Sequence, residues 1–571
     1  MKYSVIAAAA VITIAGLWAA PASGASFQPI WARDGMVATS VGPAAAAGAA
    51  VLADGGNAVD AAIASGFAAA VAHPFSSGIG GGLFAVTHIA DGATTSALDA
   101  REIAPSGASA QWYDSNQDAI RRGAYSVAVP GFVQGMEALH ERYGSKPWAE
   151  LIEPAIELAE NGVPAGHWHF RLMQFMGDRL NGNPETARIY LDNGKPPQLG
   201  WNMVQKDLGK TLRLIQKQGS KALTKGSIAK AIEKSTENAI SRDDLAGYQV
   251  KWRTPVRGSY RGYEVVSMPP PSSGGVLLIN MLNMLEHLDL KAMGHNSSDY
   301  VHLLSEVMKL AYADRARFLG DTDFDEVPLE QLLSQAYADK QLARISMDSV
   351  LDIQPFNALP NDEGTTHISV IDGQGNAVAL TQTINSVFGS LITVPGTGIV
   401  LNNEMDDFSV APNIPNEWEA VGFEANRVEP GKRPLSSMTP TLVFKDGEVR
   451  MVMGSPMGTT IITAVMQSLI NRVDFEMDAQ AAVQAPRFHH QWFPAMLMHE
   501  PEFPMDVRKR LEALGHVLRE RGSMGAAQIA EFDPNRCLFF AGVDGRRDSG
   551  AAAVNQTTEA KRRTRACVIG Q

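Results

Sequence analysis

The sequence predicts an α+β fold, and three observations lead to that prediction. Two β-rich runs, 368–371 and 377–381, are separated by Asp-Gly-Gln-Gly-Asn, the composition of a hairpin turn. A second hairpin is indicated at 442–453, where an Asp-Gly pair lies between two apolar runs. Helical patterns occupy most of the remaining chain: two Ala-rich helices within 42–75, a mostly helical region at 125–250 and an amphipathic helix at 298–319.

Length and composition are typical of a soluble, globular protein. The chain has 571 residues, of which 45% are hydrophobic and 7% aromatic. That length is enough for one large or two medium domains with an ample core. The net charge of −12 argues against nucleic acid as the main partner, because binding to phosphate requires a basic surface.

Residues 1–25 have the layout of a secretory signal peptide. One Lys precedes an apolar run to Ala20, and small residues follow, so we expect cleavage after Gly24 or Ala25. An uncleaved membrane anchor is the alternative, because the run approaches spanning length. We therefore expect a periplasmic or secreted protein. In such a protein Cys537 and Cys567 could pair, but sequence alone does not decide this.

The first hairpin brings small polar groups together at one strand end. If the chain folds about Gln374, Thr365 lies opposite Thr383. Asn385, two residues further on, points to the same face as Thr383 because strand side chains alternate. A cross-strand pair of threonines that only stabilises the sheet is the alternative interpretation.

Several motifs in one order carry a family resemblance. The stretch 363–407, KRPLSSMTPT at 432–441 and GSPMG at 454–458 together resemble the gamma-glutamyltransferase (gamma-glutamyltranspeptidase, glutathione hydrolase) family of N-terminal-nucleophile hydrolases. The similarity runs from about Ala32 to about Gly550. It implies a four-layer αββα sandwich, self-cleaved into a large subunit (26–364) and a small subunit (365–571) that form one domain. It also implies an enzyme that needs no cofactor or metal.

The resemblance makes Thr365 the nucleophile. An N-terminal threonine contains nucleophile and base in one residue, because its hydroxyl attacks while its free α-amine accepts the proton. An unperturbed α-amine titrates at about 7.7–8.0, close to working pH. The family produces this amine by autocatalytic cleavage, here of the Gly364–Thr365 bond. Thr383 would then orient the hydroxyl. The polar segment 345–363 is typical of an exposed linker that ends the first polypeptide.

An acyl-transfer site also needs donors for the developing oxyanion. The backbone N–H groups of Met457 and Gly458 are the candidates, since they precede a helix expected to begin near Thr459. The family usually has two glycines at this point. Because Met does not readily adopt a positive φ, we expect the geometry of the oxyanion hole to differ at Met457.

Substrate recognition requires partners for an ammonium and a carboxylate. The resemblance implies two sets of residues, an ammonium set of Asn385, Glu404 and Asp407 and a carboxylate set of Arg101, Ser436 and Ser437. From the residues alone, Glu404 and Asp407 could equally be solvated acids or calcium ligands, although calcium-loop spacing is missing. Arg101 alone would be a surface or structural ion-pair residue. Trp418 falls where the transpeptidase members have an aromatic residue in a lid over the site.

The predicted function is that of a periplasmic γ-glutamyltransferase acting through a γ-glutamyl ester on Thr365. Its substrate would be glutathione or another γ-glutamyl amide, with water, an amino acid or a short peptide as acceptor. One alternative is an N-acylase of the same superfamily that acts on glutaryl β-lactams, against which Glu404 and Asp407 argue because a glutaryl group has no ammonium. The other is an uncleaved, inactive γ-glutamyl-peptide binding protein, suggested by Met457. We expect structural roles for the adjacent histidines at 489–490 and for the glycine-rich turn at 76–84.

Overall fold

The computed structural model describes residues 27–353, 364–409, 416, 419 and 421–555. The predictions for the signal peptide, Trp418, Cys567 and the last part of the 345–363 linker concern residues outside these ranges. The described part of that linker, 345–353, has neither helix nor strand and is largely exposed. Within the described ranges, no helix has the length and apolar character needed to cross a membrane.

The described chain contains strands and helices along its whole length. Its strands, β1 to β21, are Ile30–Ala32, Gly35–Thr39, Gly82–Ile89, Thr94–Ala100, Val163–Pro164, Asn202–Met203, Lys251–Arg253, Val256–Tyr260, Tyr263–Ser267, Thr366–Asp372, Ala377–Thr383, Thr393–Val394, Ile399–Val400, Thr441–Lys445, Glu448–Gly454, Phe488–His489, Leu497–His499, Leu518–Glu520, Gln528–Asp533, Leu538–Val543 and Gly550–Val554. Its helices, α1 to α19, are Gly42–Ala53, Ala58–Ala72, Ala110–Ser115, Phe132–Tyr143, Trp148–Asn161, His167–Leu180, Pro184–Tyr190, Lys206–Gln218, Lys221–Thr224, Gly226–Ser235, Arg242–Gly247, Gly274–Leu285, Leu290–Met293, Ser298–Phe318, Leu329–Leu332, Gln335–Leu342, Thr460–Val473, Ala479–Gln484 and Met505–Ala513.

Two antiparallel seven-stranded sheets form the centre of the molecule. The nucleophile sheet, as we name the first, has the order β21-β2-β10-β11-β3-β4-β7, and the second sheet has the order β1-β20-β19-β15-β14-β9-β8. One apolar cluster lies between the sheets, a second joins the nucleophile sheet to α1, α2, α4 and α5, and a third joins the second sheet to α12, α14 and α17. Helix, sheet, sheet and helix therefore form four layers, which confirms the predicted αββα sandwich.

The helix predictions are confirmed in the segments that border the site. The Ala-rich stretch forms α1 and α2, and Asn57 caps α2 by accepting hydrogen bonds from the N–H groups of Val59 and Asp60. Helix α14 covers 298–318, one residue shorter than predicted. The glycine-rich turn serves close backbone packing, as expected, since a Cβ at Gly81 would lie 2.0 Å from the carbonyl oxygen of Thr383.

The first hairpin has the predicted register. Thr366 pairs with Gln382 and Ile371 with Ala377, so the same register continued by one residue places Thr365 opposite Thr383. Ile368 packs toward the helices, whereas Ile371 packs toward the second sheet. Because strand side chains alternate, odd-numbered residues of β10 point between the sheets. The hydroxyls of Thr365 and Thr383 therefore lie at the end of the gap between the two sheets.

Candidate active site

A pair of threonine hydroxyls lies where β10 begins and β11 ends. Thr365 Oγ1 and Thr383 Oγ1 are 3.0 Å apart, and both residues are buried. The backbone N–H of Asn385 donates to Thr383 Oγ1 at 2.8 Å. This bond occupies one lone pair of Thr383 and leaves its O–H proton able to donate to Thr365. The arrangement can hold the Thr365 hydroxyl in one orientation, with its own proton directed to a base.

The backbone at the Gly364–Thr365 junction is strained and tightly packed. Thr365 has φ of 90°, which is an outlier for a β-branched residue. Such conformations cost about 1–3 kcal/mol each. A Cβ at position 364 would lie 1.9 Å from the carbonyl oxygen of Asn385, so only glycine fits there. Cleavage of this bond would remove the φ restraint on Thr365, and the strain therefore favours the cleaved product.

Two further contacts hold the main chain of Thr365. The N–H of Thr365 donates to the carbonyl of Ser76 at 2.9 Å, and Arg547 Nη1 donates to the carbonyl of Thr365 at 2.8 Å. Arg547 is buried and lies 5.0 Å from the ring of Trp168. The sequence did not indicate this arginine, because it lies in a polar stretch, 544–549, that resembles a surface turn.

The loop before α17 has the backbone conformation of a two-glycine turn. Met457 has φ of 94° and Gly458 has φ of 53°, and α17 begins at Thr460. The expectation that Met457 would avoid a positive φ is therefore wrong. Packing overrides the local preference, since Met457 is buried and its carbonyl accepts a hydrogen bond from Thr460 Oγ1 at 2.6 Å. Among the described residues, neither the Met457 N–H nor the Gly458 N–H donates to a protein acceptor.

The predicted carboxylate and ammonium sets contact each other directly. Arg101 forms an ion pair with Glu404 and another with Asp407, the second at 2.5 Å. Arg101 and Glu404 are almost fully buried, and Asp407 is 12% exposed. Burial raises the pKa of Glu404 well above its ordinary value despite the Arg101 guanidinium beside it. The charged groups of the two predicted sets therefore pair with one another.

One small cavity of about 20 Å³ joins these groups. It brings together nine of the predicted site residues: Arg101, Thr365, Thr383, Asn385, Glu404, Asp407, Ser436, Ser437 and Gly458. Sequence reasoning missed five others: Arg315, Asn416, Met438, Thr459 and Ile461. Met457 is not part of the cavity wall. This volume is near that of one or two waters and is smaller than a glutamyl group.

Arg315 is the missed residue that sequence could have indicated. It lies on α14 four residues after Ala311, which is buried in the core that the helix joins. A charged residue on the apolar stripe of a helix indicates a buried ionic or binding role rather than solvation.

In the described chain, the adjacent histidines at 489–490 are buried and hydrogen-bonded within the protein. His489 Nδ1 lies 2.8 Å from Thr463 Oγ1, and its Nε2 lies 2.9 Å from Gln491 Oε1. One buried group has atoms close enough to hold a metal ion: His302, Glu306 and His516. In that group the ammonium of Lys309 already donates to Glu306 at 2.7 Å, and the two histidines bond each other at 2.8 Å.

The fold and the junction together define the class of the protein. A strained Gly-Thr bond at the start of a central strand, inside an αββα sandwich, is the arrangement of an N-terminal-nucleophile hydrolase. The chain belongs to the gamma-glutamyltranspeptidase family, whose model matches residues 44–554, and it is an enzyme of that family.

Curated relatives and solved structures agree with this assignment. The chain is 40% identical over 528 residues to the glutathione hydrolase proenzyme of Escherichia coli strain K12, covering 90% of this chain and 91% of the relative. It is 37% identical over 526 residues to the acylase ACY 1 proenzyme of Pseudomonas sp. strain SE83, covering 90% and 92%. The crystal structure of cephalosporin acylase from Bacillus halodurans superposes with a TM-score of 0.83 at 28% identity, covering 95% and 99%.

Met457 offers a test of the oxyanion loop through a matched pair of substitutions. Met457→Gly keeps the positive φ, so we expect turnover within about threefold of the parent and a lower Tm, because a buried side chain is lost. Met457→Val places a β-branched residue at φ of 94° and should misdirect the donor. Losing one such donor costs about 10²–10³ in turnover. Full turnover in the folded Val variant would contradict an oxyanion role for this loop.

Proposed function

We propose that the chain is a γ-glutamyltransferase and glutathione hydrolase that acts through a γ-glutamyl ester on Thr365. The single observation behind the proposal is the charge arrangement of the cavity. Arg101 and the acids Glu404 and Asp407 lie beside the Thr365–Thr383 pair, and together they match the carboxylate and ammonium of one glutamyl group. The name of the Escherichia coli relative, glutathione hydrolase proenzyme, supports the same substrate class.

Maturation would begin at the strained junction. The Thr365 hydroxyl attacks the carbonyl carbon of Gly364, the peptide C–N bond breaks, and the proton passes to the freed amine of Thr365. Water then hydrolyses the resulting ester, which leaves a carboxylate on Gly364 and restores the hydroxyl. The products would be a large subunit of 26–364 and a small subunit of 365–571.

The topology would keep the two subunits together after cleavage. The nucleophile sheet takes β2, β3, β4 and β7 from the large subunit and β10, β11 and β21 from the small one. In that sheet β10 is hydrogen-bonded to β2, and β11 is hydrogen-bonded to β3. The second sheet also contains strands from both subunits. A single cut at one strand end therefore breaks no sheet hydrogen bond, and a heterodimer results.

Turnover would use the new N-terminus as the base. The amine of Thr365 accepts the hydroxyl proton as Oγ1 attacks the γ-carbonyl carbon, and the N–H groups of Met457 and Gly458 stabilise the oxyanion. The protonated amine gives its proton to the leaving amine as the C–N bond breaks. The Ser76 carbonyl, 2.9 Å from the Thr365 nitrogen, orients that amine. Water attack on the ester gives hydrolysis, and attack by an amino acid or peptide gives transpeptidation.

Binding would exchange one set of ion pairs for another. The substrate carboxylate replaces Glu404 and Asp407 on Arg101, while the ammonium replaces Arg101 on the two acids. Arg101 and the two acids each keep a partner of opposite charge, so buried charges are not left without partners. A ligand with only one of the two charges would leave part of this set unsatisfied.

The second candidate function is an N-acylase for glutaryl β-lactams. It is favoured by the names of two similar proteins, an acylase of Pseudomonas sp. and a cephalosporin acylase of Bacillus halodurans. The deciding experiment compares release of the amine from γ-glutamyl and glutaryl anilides, with and without glycylglycine. A γ-glutamyl preference and stimulation by glycylglycine support the transferase, whereas a glutaryl preference supports the acylase. A denaturing gel with a single band and no turnover would support the inactive binding protein instead.

We further propose a periplasmic or secreted location, supported by the signal-peptide layout of residues 1–25. Cell fractionation tests it. The activity should appear outside the cytoplasm, and the large subunit should begin near residue 26. Activity confined to the cytoplasm, with an intact N-terminus, would contradict it.

The buried Glu404 predicts a pH effect on substrate affinity. Burial raises its pKa, so the group is neutral at a pH where an exposed glutamate is already charged. A neutral carboxyl attracts an ammonium weakly, and kcat/KM should therefore rise as pH increases through this pKa. In Glu404→Gln the group cannot ionise, so the part of the rise due to Glu404 should disappear, while the ionisation of the Thr365 amine remains in both the kcat and the kcat/KM profiles. An identical kcat/KM profile in parent and variant would remove Glu404 from ammonium binding.

A further inference from the structure

Arg315 brings a second buried guanidinium to the cavity. It lies near the C-terminal end of α14, is 7% exposed and contributes to the same wall as Arg101, Ser437 and Thr365. Among the described residues, no carboxylate lies within ion-pair distance of it. Burial lowers the pKa of Arg315, because it is unfavourable to hold an unpaired charge away from water. Buried charges are usually paired, so this one indicates an anionic ligand.

The hydrogen bonds of Arg315 determine what the neighbouring serines can do. Arg315 Nη2 donates to Ser437 Oγ at 3.3 Å, and its Nε donates to Ser273 Oγ at 3.0 Å. A guanidinium has no acceptor, so both hydroxyl oxygens must accept. Ser273 Oγ donates a hydrogen bond to the carbonyl of Ser436 at 2.7 Å, and this bond fixes the 436–437 segment. The proton of Ser437 remains available to an incoming anion.

The hydroxyl of Ser436, like that of Ser437, has a proton available to an incoming anion. The N–H of Met438 donates to Ser436 Oγ at 3.1 Å, so this hydroxyl also accepts from the protein and keeps its proton for another acceptor. The two hydroxyls, the Arg101 guanidinium and the Arg315 charge all belong to one wall of the cavity. Asp407 is close enough to affect Arg315 electrostatically. If the substrate ammonium binds Asp407, the charges of Arg101 and Arg315 both become available to the substrate carboxylate.

We propose that Arg315 is a positioning and specificity residue for the substrate α-carboxylate. It orients Ser437 so that its hydroxyl donates to the carboxylate, and its charge selects acyl groups that have a carboxylate at this point. The inference rests on the proposed function for the identity of the substrate. The carboxylate itself is common to γ-glutamyl and glutaryl groups, so the role of Arg315 can be tested under either activity.

Three anilides separate the two charges of the substrate. The γ-glutamyl compound has both charges, the glutaryl compound has only the carboxylate, and the 4-aminobutyryl compound has only the ammonium. With Arg315→Gln we expect KM to rise about tenfold or more for the two carboxylate compounds, as for loss of a buried charge partner, with kcat nearly unchanged. KM for the 4-aminobutyryl compound should not change. If this compound is not turned over, its Ki as a competitive inhibitor should not change. Arg315→Lys should recover part of the loss.

Arg317, exposed on the same helix, provides the matched control, and Arg317→Gln should have no effect on any of the three compounds. Equal losses on all three compounds in Arg315→Gln, or none, would overturn the proposal, as would a loss of kcat without a change in KM. If Arg315→Gln fails to mature into two chains, Arg315→Lys, which retains the charge but not both guanidinium hydrogen bonds, should still raise KM for the two carboxylate compounds and not for the 4-aminobutyryl compound. If the parent cleaves only the glutaryl compound, the proposed function fails, while the Arg315 test is still decided by the glutaryl and 4-aminobutyryl data.

Discussion

Thr365→Ala is expected to remain a single polypeptide with no measurable amidase or transferase activity. The substitution removes the hydroxyl that attacks both the Gly364 carbonyl and the substrate, so maturation and turnover should fail together. The strained junction, with φ of 90° at residue 365, would stay intact in this variant. A denaturing gel and release of amine from a γ-glutamyl anilide measure the two effects.

Two control variants separate chemistry from folding. Thr365→Ser keeps the hydroxyl and should be cleaved and active at a reduced rate. Thr383→Ala keeps the nucleophile but loses the 3.0 Å hydroxyl contact, so it should slow both maturation and turnover without unfolding the protein. A Thr365→Ala chain that still divides at 364–365, or a Thr383→Ala variant with both rates unchanged, would contradict these assignments.

Asp407→Ala is expected to weaken γ-glutamyl substrates severely and glutaryl substrates far less. The ammonium of a γ-glutamyl group would lose one of its two carboxylate partners, and losing such a charge pair typically costs about 2–5 kcal/mol. A glutaryl group has no ammonium, and Arg101 would still have Glu404 as a partner in the free enzyme. The measurement is kcat/KM for both anilides. Equal damage to both would favour the acylase function.

The complementary change, Arg101→Ala, is expected to damage both substrates. It removes the carboxylate partner and also leaves the buried Glu404 without its cation. Breaking a buried ion pair costs about 3–5 kcal/mol. Thermal unfolding should therefore be measured alongside activity. Glu424→Ala is the control, because Glu424 is an exposed acid that does not line the cavity. This variant should change kcat/KM for neither substrate. Full glutaryl activity in a folded Arg101→Ala variant would remove Arg101 from carboxylate binding.

The hairpin that holds the nucleophile was predictable from the sequence because its information is local. The turn composition fixes the register, and the register places Thr365 opposite Thr383. The four layers were predictable only through the family resemblance, since the pairing of β10 with β2 joins residues more than 300 positions apart. No local pattern specifies such a contact.

Three features of the site depended on tertiary packing, and the sequence does not specify their geometry. Met457 has a positive φ because the surrounding core holds it there, against its own preference. The direct contact of Arg101 with the two acids joins residues 303 and 306 positions apart, which no local pattern specifies. Arg315 and Arg547 approach the nucleophile from distant segments, and only the folded chain shows their distances to Ser437 and Thr365.

The most direct test of the central claim is the mass of the two chains after reaction with a γ-glutamyl anilide and rapid acid quenching. The account predicts one chain of 365–571 with a free Thr365 at its N-terminus, and an increase in the mass of that chain by one glutamyl group during turnover. The chain that ends at Gly364 should be unchanged, and neither species should form in Thr365→Ala. A small chain that begins elsewhere, or a glutamyl group attached to the large chain, would contradict the account.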